Sequence, residues 1–341
     1  MARPVNDQTP LLISQRRYLG NKTGVLGLIA RVMQRHVPSY QSFCDVFAGT
    51  GAVGHHFNHP RVSIISNDIL YSNYVCLRAF LSPEPYDATR AAGLIAHLNA
   101  LPPVEDGYVT REFGGRYFNV EAAGRIDAVR EEIEMLDLTG KERCLLLTSL
   151  LYAMDKIANT VGHYDAYREQ KRIPGRLWLR VPETDPESNS GNVTCNMDGN
   201  ELLRQTACDV LYIDPPYNSR QYCDSYHVLE NITRWEKPPL EGKARKFDRS
   251  ALKSRYNGRH AAAAFADLVA SADCRHILFS YNNMKTRGDH RSNAAISDDA
   301  IMAILKEKGR VTVHERPYNA FTAGKSSHGD NKERVFYCRV R

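Results

Sequence analysis

The residues with the clearest chemistry are Asp214-Pro215-Pro216-Tyr217, which close the apolar run Val210, Leu211, Tyr212, Ile213. A short apolar run that stops at a Pro-Pro turn is how a buried parallel strand finishes. It holds a carboxylate at a strand's carboxyl end, where open α/β sheets place ligands. Two successive prolines have fixed φ and no N–H, so the backbone there is stiff and offers only carbonyl acceptors. A carboxylate, a rigid carbonyl and a ring suit an amino group on a planar base, with both hydrogens accepted and the base stacked on Tyr217. The bland alternative is a strand cut off by a turn, since Asp and Pro are common turn residues.

The quartet Asp214 to Tyr217 resembles the catalytic motif of the amino methyltransferases. With its continuation NSRQYCDSYHVLENI it is similar to the Dam-type, alpha-group adenine-specific DNA methyltransferases. The resemblance implies an α/β fold, a Rossmann-like S-adenosylmethionine-dependent methyltransferase sheet, with Asp214, Pro215, Pro216 and Tyr217 as the catalytic set and no metal.

The elements that must position this motif follow in chain order. Residues 16–34 begin with a glycine turn and continue as an amphipathic helix, with Val25, Leu28, Ile29 and Val32 on one face. The resemblance makes Tyr18, Gly20 and Lys22 contacts to the methyl donor; otherwise Gly20-Asn21-Lys22 only leads into the helix. Next, Phe43 to Phe47 is a short strand that runs into Gly49-x-Gly51 and a helix through Gly54. Glycines there let the backbone approach a ligand, and a helix N-terminus adds a favourable field. G-x-G-x-x-G alone equally suits a dinucleotide. Asp45 and Phe47 extend it to D-x-F-x-G-x-G, the pattern that in the resembled family holds S-adenosylmethionine through residues matching Asp45, Phe47, Gly49 and Gly51. A second apolar strand, 62–69, ends in Asn67-Asp68, and an acid there can accept ribose hydroxyls.

From about residue 75 to 190 the α/β alternation stops. Two helical stretches, with apolar periodicity through Val120, Ile126, Val129, Ile133 and Leu136 and through the segment after Glu142, read as core. They predict a largely helical insertion, 75–191, between the halves 11–74 and 192–341 of a catalytic domain. In the insertion, His163, Tyr164, Tyr167 and Trp178 interleave with Arg168, Lys171, Arg172, Arg176 and Arg180; cations among rings suit nucleic acid, and a solvated basic hairpin is the plain alternative. The resemblance makes this insertion the target-recognition region. A strand at Val193 to Met197 leads to Asp198, which by the same resemblance accepts the donor's adenine amine and otherwise caps a helix. After the central motif, Tyr226, Leu229 and Ile232 mark a helix. The window 234–260 holds nine Lys or Arg against three acids and lacks apolar periodicity. It reads as a loop, either a solvated surface loop or, favoured by its place just after the central strand, one clasping DNA with Lys243, Arg245, Lys246, Arg249, Lys253 and Arg255 as contacts. Three more strands are expected, 274–283, 311–318 and an antiparallel 332–341, the last two separated by a polar, glycine-containing stretch whose composition predicts mobility.

The 341-residue chain has 43% hydrophobic and 25% charged residues, as ordinary globular proteins do. It shows no membrane-length apolar stretch and no signal-peptide core, so a cytoplasmic, nucleoid-associated protein is expected. Eight scattered cysteines without a C-x-x-C pair suggest neither zinc nor disulfides. The net charge of +6 resides wholly in window 234–260, pointing to a polyanionic partner. The resemblance, with its motifs in the alpha order from residue 17 to the end, implies an adenine-N6 methyltransferase acting on double-stranded DNA, monomeric or homodimeric. A cytosine amine or an RNA base would serve the same acceptor logic. A nicotinamide oxidoreductase shares the glycine loop but gives no reason for Asp214-Pro215-Pro216-Tyr217, and a non-catalytic subunit would not keep that motif intact.

Overall fold

The computed structural model describes residues 9–169, 173–216, 221–282, 296–317 and 332–341. In chain order its elements are α1 (Leu26–His36), β1 (Ser42–Asp45), α2 (Ala52–Phe57), β2 (Ser63–Asn67), α3 (Tyr71–Leu81), α4 (Ala88–Ala100), α5 (Tyr108–Phe113), α6 (Val120–Met135) and α7 (Gly140–Ile157). They continue with β3 (Val193–Cys195), α8 (Gly199–Leu203), β4 (Ala207–Ile213), α9 (Tyr222–Ser225), α10 (His227–Arg234), α11 (Ala261–Ser271), β5 (Asp273–Asn282), α12 (Asp298–Lys308), β6 (Gly309–Pro317) and β7 (Lys332–Val340).

Among the described residues the strands form one seven-stranded sheet, in the order β3-β2-β1-β4-β5-β7-β6. The first five run parallel, and β7 is antiparallel to both its neighbours. The apolar run of β4 is buried on both faces because helices cover both. Val210 and Tyr212 join α1 residues Leu28, Ile29 and Val32 in one core, while Leu211 and Ile213 join Leu268 of α11 and Leu305 of α12 in another. Successive side chains of a strand point to opposite faces, which is why one run serves two cores. Asp209, at the start of β4, accepts the amides of Gln41 and Ser42 and pins β1 against β4.

Between β2 and β3 the regular elements among the described residues are all helices, α3 to α7. A boundary after residue 74 falls inside α3, because α3 is the crossover helix from β2 to β3 and also packs along α7. The insertion also shares one core with the catalytic half: Phe113, Tyr117, Leu146 and Leu150 cluster with Tyr226, Leu229 and Ile232 around α10. Its last stretch returns extended, bridged to Leu11 at Pro182 and clamped by the Asn99 side chain, which bonds both the carbonyl and the amide of Leu179. No helix among the described residues is long and apolar enough to cross a membrane.

One buried carboxylate ties α10 to α3. Glu230 is 0% exposed and accepts the Tyr71 and Ser72 amides at 2.9 Å each, together with Arg234 Nε at 2.8 Å. It satisfies orphan donors of the first turn of α3, as a cap would. Replacing it leaves those donors buried without a partner, so Glu230→Ala is expected to lower unfolding free energy by about 3 kcal/mol. Urea denaturation checks this; an unchanged midpoint would show that the two helices do not depend on the contact.

Candidate active site

The strand order reverses between β1 and β4, and the crevice there opens at the strands' carboxyl ends. Asp45 ends β1, Asp68 follows β2, and Asp214 follows β4. All three line one cavity of about 720 Å³ counted to its open mouth, the size of a site for a nucleoside-like molecule. Tyr18, Gly20, Lys22, Phe47, Gly49 and Pro216 line it too, so the structure gathers most of the expected donor and catalytic residues in one place. Pro215 is buried just behind. Tyr217 lies outside the described residues.

The glycine loop has the form its residues require. Gly49 and Gly51 take φ of +55° and +78°, a left-handed conformation that residues with a Cβ rarely adopt. A Cβ on Gly49 would stand 3.2 Å from the Tyr18 ring, and one on Gly51 2.7 Å from Leu77. Asp68 holds the loop by accepting the Gly49 amide at 2.9 Å and that of Leu70 at 2.8 Å. Gly51 itself supports the turn from behind the cavity wall.

The segment 16–22 roofs the cavity through an aromatic stack that neither periodicity nor motif spacing signals. Tyr18 stacks on Tyr226 at 4.5 Å and on Tyr222 at 5.3 Å. The Leu19 amide donates to the Tyr226 hydroxyl at 2.6 Å, and the Tyr222 hydroxyl donates to the Leu19 carbonyl at 3.1 Å. The chain just past the Asp214 motif thereby fastens the N-terminal segment. Lys22 is carried with it, but its ammonium meets Asp214 at 3.1 Å, with the side chains only 7% and 15% exposed. The family resemblance puts Lys22 on the methyl donor; the structure places it on the candidate catalytic carboxylate.

Burial shapes the charges. Asp214 is pushed up to about 6 by desolvation, with Lys22 resisting and Glu333 adding slightly. Asp68 is likewise pushed up to about 6 by burial, against the amides of Leu70 and Gly49. Asp45 is pushed further, to about 8, by burial and then by the nearby Asp214. Neither of its oxygens has a hydrogen-bond partner of good geometry, and the amides of Gly54 and Phe47 offset the burial only in part.

Two expectations are corrected. Asp198 is not among the cavity's lining residues: it caps α8 by accepting the Asn200 and Glu201 amides, and it pairs with Arg255 at 3.5 Å. The basic window is a loop, but not an open row of cations. Lys243 pairs with Glu169, Arg245 with Glu112, Lys246 with Asp165 and Arg249 with Asp224, so acids of the insertion and of α9 already face them. Lys253 and Arg168 are exposed; Lys171 and Arg172 lie outside the described residues. The interleaved rings are partly core as well, Tyr164 being buried with its hydroxyl on Asp155 at 2.8 Å. The same loop supplies something unforeseen, because Leu252 and Ser254 line the cavity, as do Gln221, Tyr222 and Cys223.

Sheet order, glycine loop and acid-tipped strands together define a Rossmann-like methyltransferase fold. A profile of the D12 class N6 adenine-specific DNA methyltransferases matches residues 18–286, and the chain belongs to that family. It is 33% identical to the modification methylase StsI of Streptococcus sanguinis and 31% identical to the type II methyltransferase M.FokI of Planomicrobium okeanokoites, over 94% of this chain in each case. The chain spans about half the length of these two relatives, 51% and 52%. With the type II methyltransferase M.NlaIII of Neisseria lactamica it shares 30% identity over 87% of this chain and 89% of the relative.

The state of Asp45 sets a stability test. Its folded pKa of about 8 lies above the ordinary 3.8, so the protonated, folded form is favoured at low pH. That stabilisation is lost as pH rises from about 4 through 8. Asp45→Asn keeps the shape without the charge and is expected to be the more stable protein at pH 8, the gap closing toward pH 4. Urea unfolding across this range checks it; parallel stability curves would contradict the assignment.

Proposed function

We propose that this chain transfers the methyl group of S-adenosylmethionine to the N6 amine of an adenine in double-stranded DNA. The observation that carries the reading is Asp214, held rigid before Pro215-Pro216 in the same cavity as the glycine loop and Asp68, with Lys22 at 3.1 Å. The cavity fits this donor in charge and shape. Two ionised carboxylates, Asp68 and Asp214, face one ammonium there, which suits a cation, and Asp45, held protonated by burial, still has an oxygen to spare as an acceptor. The space above Gly49 that a Cβ would fill against Tyr18 admits close backbone contact. Asp45, Asp68, Gly49, Phe47, Tyr18 and Gly20 would hold the donor, Asp68 through the ribose hydroxyls. Bound, it supplies a methyl group on a sulfonium, already a good leaving group.

The protein's own task is to present the amine. An amine conjugated with its ring is a poor nucleophile, because its lone pair is delocalised. Asp214 and the Pro215 carbonyl accept its two hydrogens and favour a pyramidal nitrogen whose lone pair is available. Lys22 keeps Asp214 ionised in a site where burial would otherwise protonate it. The nitrogen becomes positive as it gains its carbon and must then shed one proton; Asp214 stabilises that charge and can pass the proton to water. Tyr217 would stack the base after it is flipped from the duplex, a step costing roughly a few kcal/mol. The insertion 75–191 serves as the target-recognition part, and Arg168, Lys171, Arg172 and Lys253 supply phosphate contacts. The paired cations Lys243, Arg245, Lys246 and Arg249 brace the loop and contribute less to DNA affinity.

Asp214→Ala is expected to lower transfer of labelled methyl into duplex DNA by about 10²-fold or more while donor binding persists. In the parent, activity should fall as pH drops through about 6, where Asp214 becomes protonated and ceases to accept. Lys22→Met removes the group that holds this value down, so the acid limb should move to higher pH. Full activity in Asp214→Ala, or an acid limb indifferent to Lys22, would overturn these two roles.

A further inference from the structure

Residues 252–256 form a strip with two chemically distinct faces. Leu252 and Ser254 line the donor cavity, and Tyr256 continues the same side: it is 3% exposed, stands edge-on to Phe47 at 5.1 Å, and donates to Asn200 Oδ1 at 2.7 Å. The intervening residues, Lys253 and Arg255, are both exposed. Lys253 has no ion-pair partner among the described residues, and the acid partner of Arg255, Asp198, is itself 40% exposed. Only Lys253 and Ser254 are extended here; Leu252 closes one short 3-10 turn and Arg255 and Tyr256 open the next, and this linkage sets the two cations on the outer side.

The strip is fastened where a target base must arrive. Ser254 donates its amide to Gln221 Oε1 at 2.8 Å, and its carbonyl accepts from Gln221 Nε2 at 3.0 Å. Gln221 and Pro216 line the same cavity mouth, on either side of the segment that follows Asp214. A duplex delivering a base to Asp214 therefore lays its backbone by the outer face of the strip, and two cations there attract phosphates.

We propose that the strip couples the two substrates: phosphates drawn onto Lys253 and Arg255 press Leu252 and Ser254 against the donor, with Tyr256 anchoring the strip behind Phe47, so that DNA tightens donor binding and the donor tightens DNA binding. The inference rests on the proposed adenine methylation of DNA for the identity of both ligands. Coupling between sites is reciprocal, so either ligand reports it. Because phosphate contacts carry no sequence information, a mixed-sequence duplex suffices as the probe.

The test titrates S-adenosylhomocysteine into the full chain, alone and saturated with a mixed-sequence duplex, by calorimetry. DNA should tighten binding by about fivefold or more. In the double variant Lys253→Ala, Arg255→Ala that tightening should vanish while affinity without DNA stays as in the parent. The logarithmic salt dependence of its DNA binding should become shallower by about two. Gln221→Ala, which releases the inner clasp, should weaken S-adenosylhomocysteine binding without DNA and also reduce the tightening. Equal affinity with and without DNA, or full tightening in the double variant, would overturn the coupling. A parallel assay for N6-methyladenine separates the two failures, since product formed without coupling rejects only the strip, and no product rejects the function on which it rests.

Discussion

The buried ion pair between Lys22 and Asp214 is the contact on which the rest depends. A carboxylate placed at the end of a central strand and walled in by apolar side chains tends to take up a proton, and a protonated acid no longer offers two acceptors. A cation at 3.1 Å opposes that tendency. Such a pair adds little to stability, since desolvating both charges offsets much of their attraction. What it secures is the protonation state of one side chain at the point where the chemistry is proposed.

Delivering that cation explains the architecture around it. Lys22 arrives on a segment with little regular structure of its own, and the segment is held by the rings of Tyr222 in α9 and Tyr226 at the junction of α9 and α10. Those helices are held in turn by the insertion's core and by the bonds that Glu230 of α10 accepts from the first turn of α3. The helical insertion thus has a mechanical part in the site whatever it does with DNA, because it backs the surface on which the roof of the cavity rests. Removing it would expose the apolar faces of α3 and α10 and release the segment carrying Lys22.

Much of this is legible in the sequence where residue type and spacing are themselves the function. The β4 run and the Asp-Pro-Pro stop, the glycines at 49 and 51, and the acid after β2 encode a local backbone form, and local form follows from local residues. Helices α1, α6, α7 and α10 are readable because an apolar stripe has a period. Most of what the sequence leaves unread depends on a tertiary partner distant in the chain. Nothing near Lys22 announces Asp214, and counting nine cations in 234–260 says nothing of Glu112, Asp165 or Glu169 facing them. A boundary after 74 cuts α3 because a crossover helix that also packs on the insertion has no composition break. Asp198 is a case where the local rule is available: an acid followed three residues later by Glu201 is a capping signature, and capping is what it does. The cavity wall formed by Leu252 and Ser254 cannot be read at all, since a loop without periodicity gives no hint of which side faces in.

The most direct test of adenine methylation is nucleoside mass spectrometry after the purified chain is incubated with S-adenosylmethionine and duplex DNA or, separately, RNA. The predicted result is N6-methyladenine in the DNA and no other methylated nucleoside. Methylated cytosine, or product confined to RNA, would contradict the assignment of the amine that Asp214 receives.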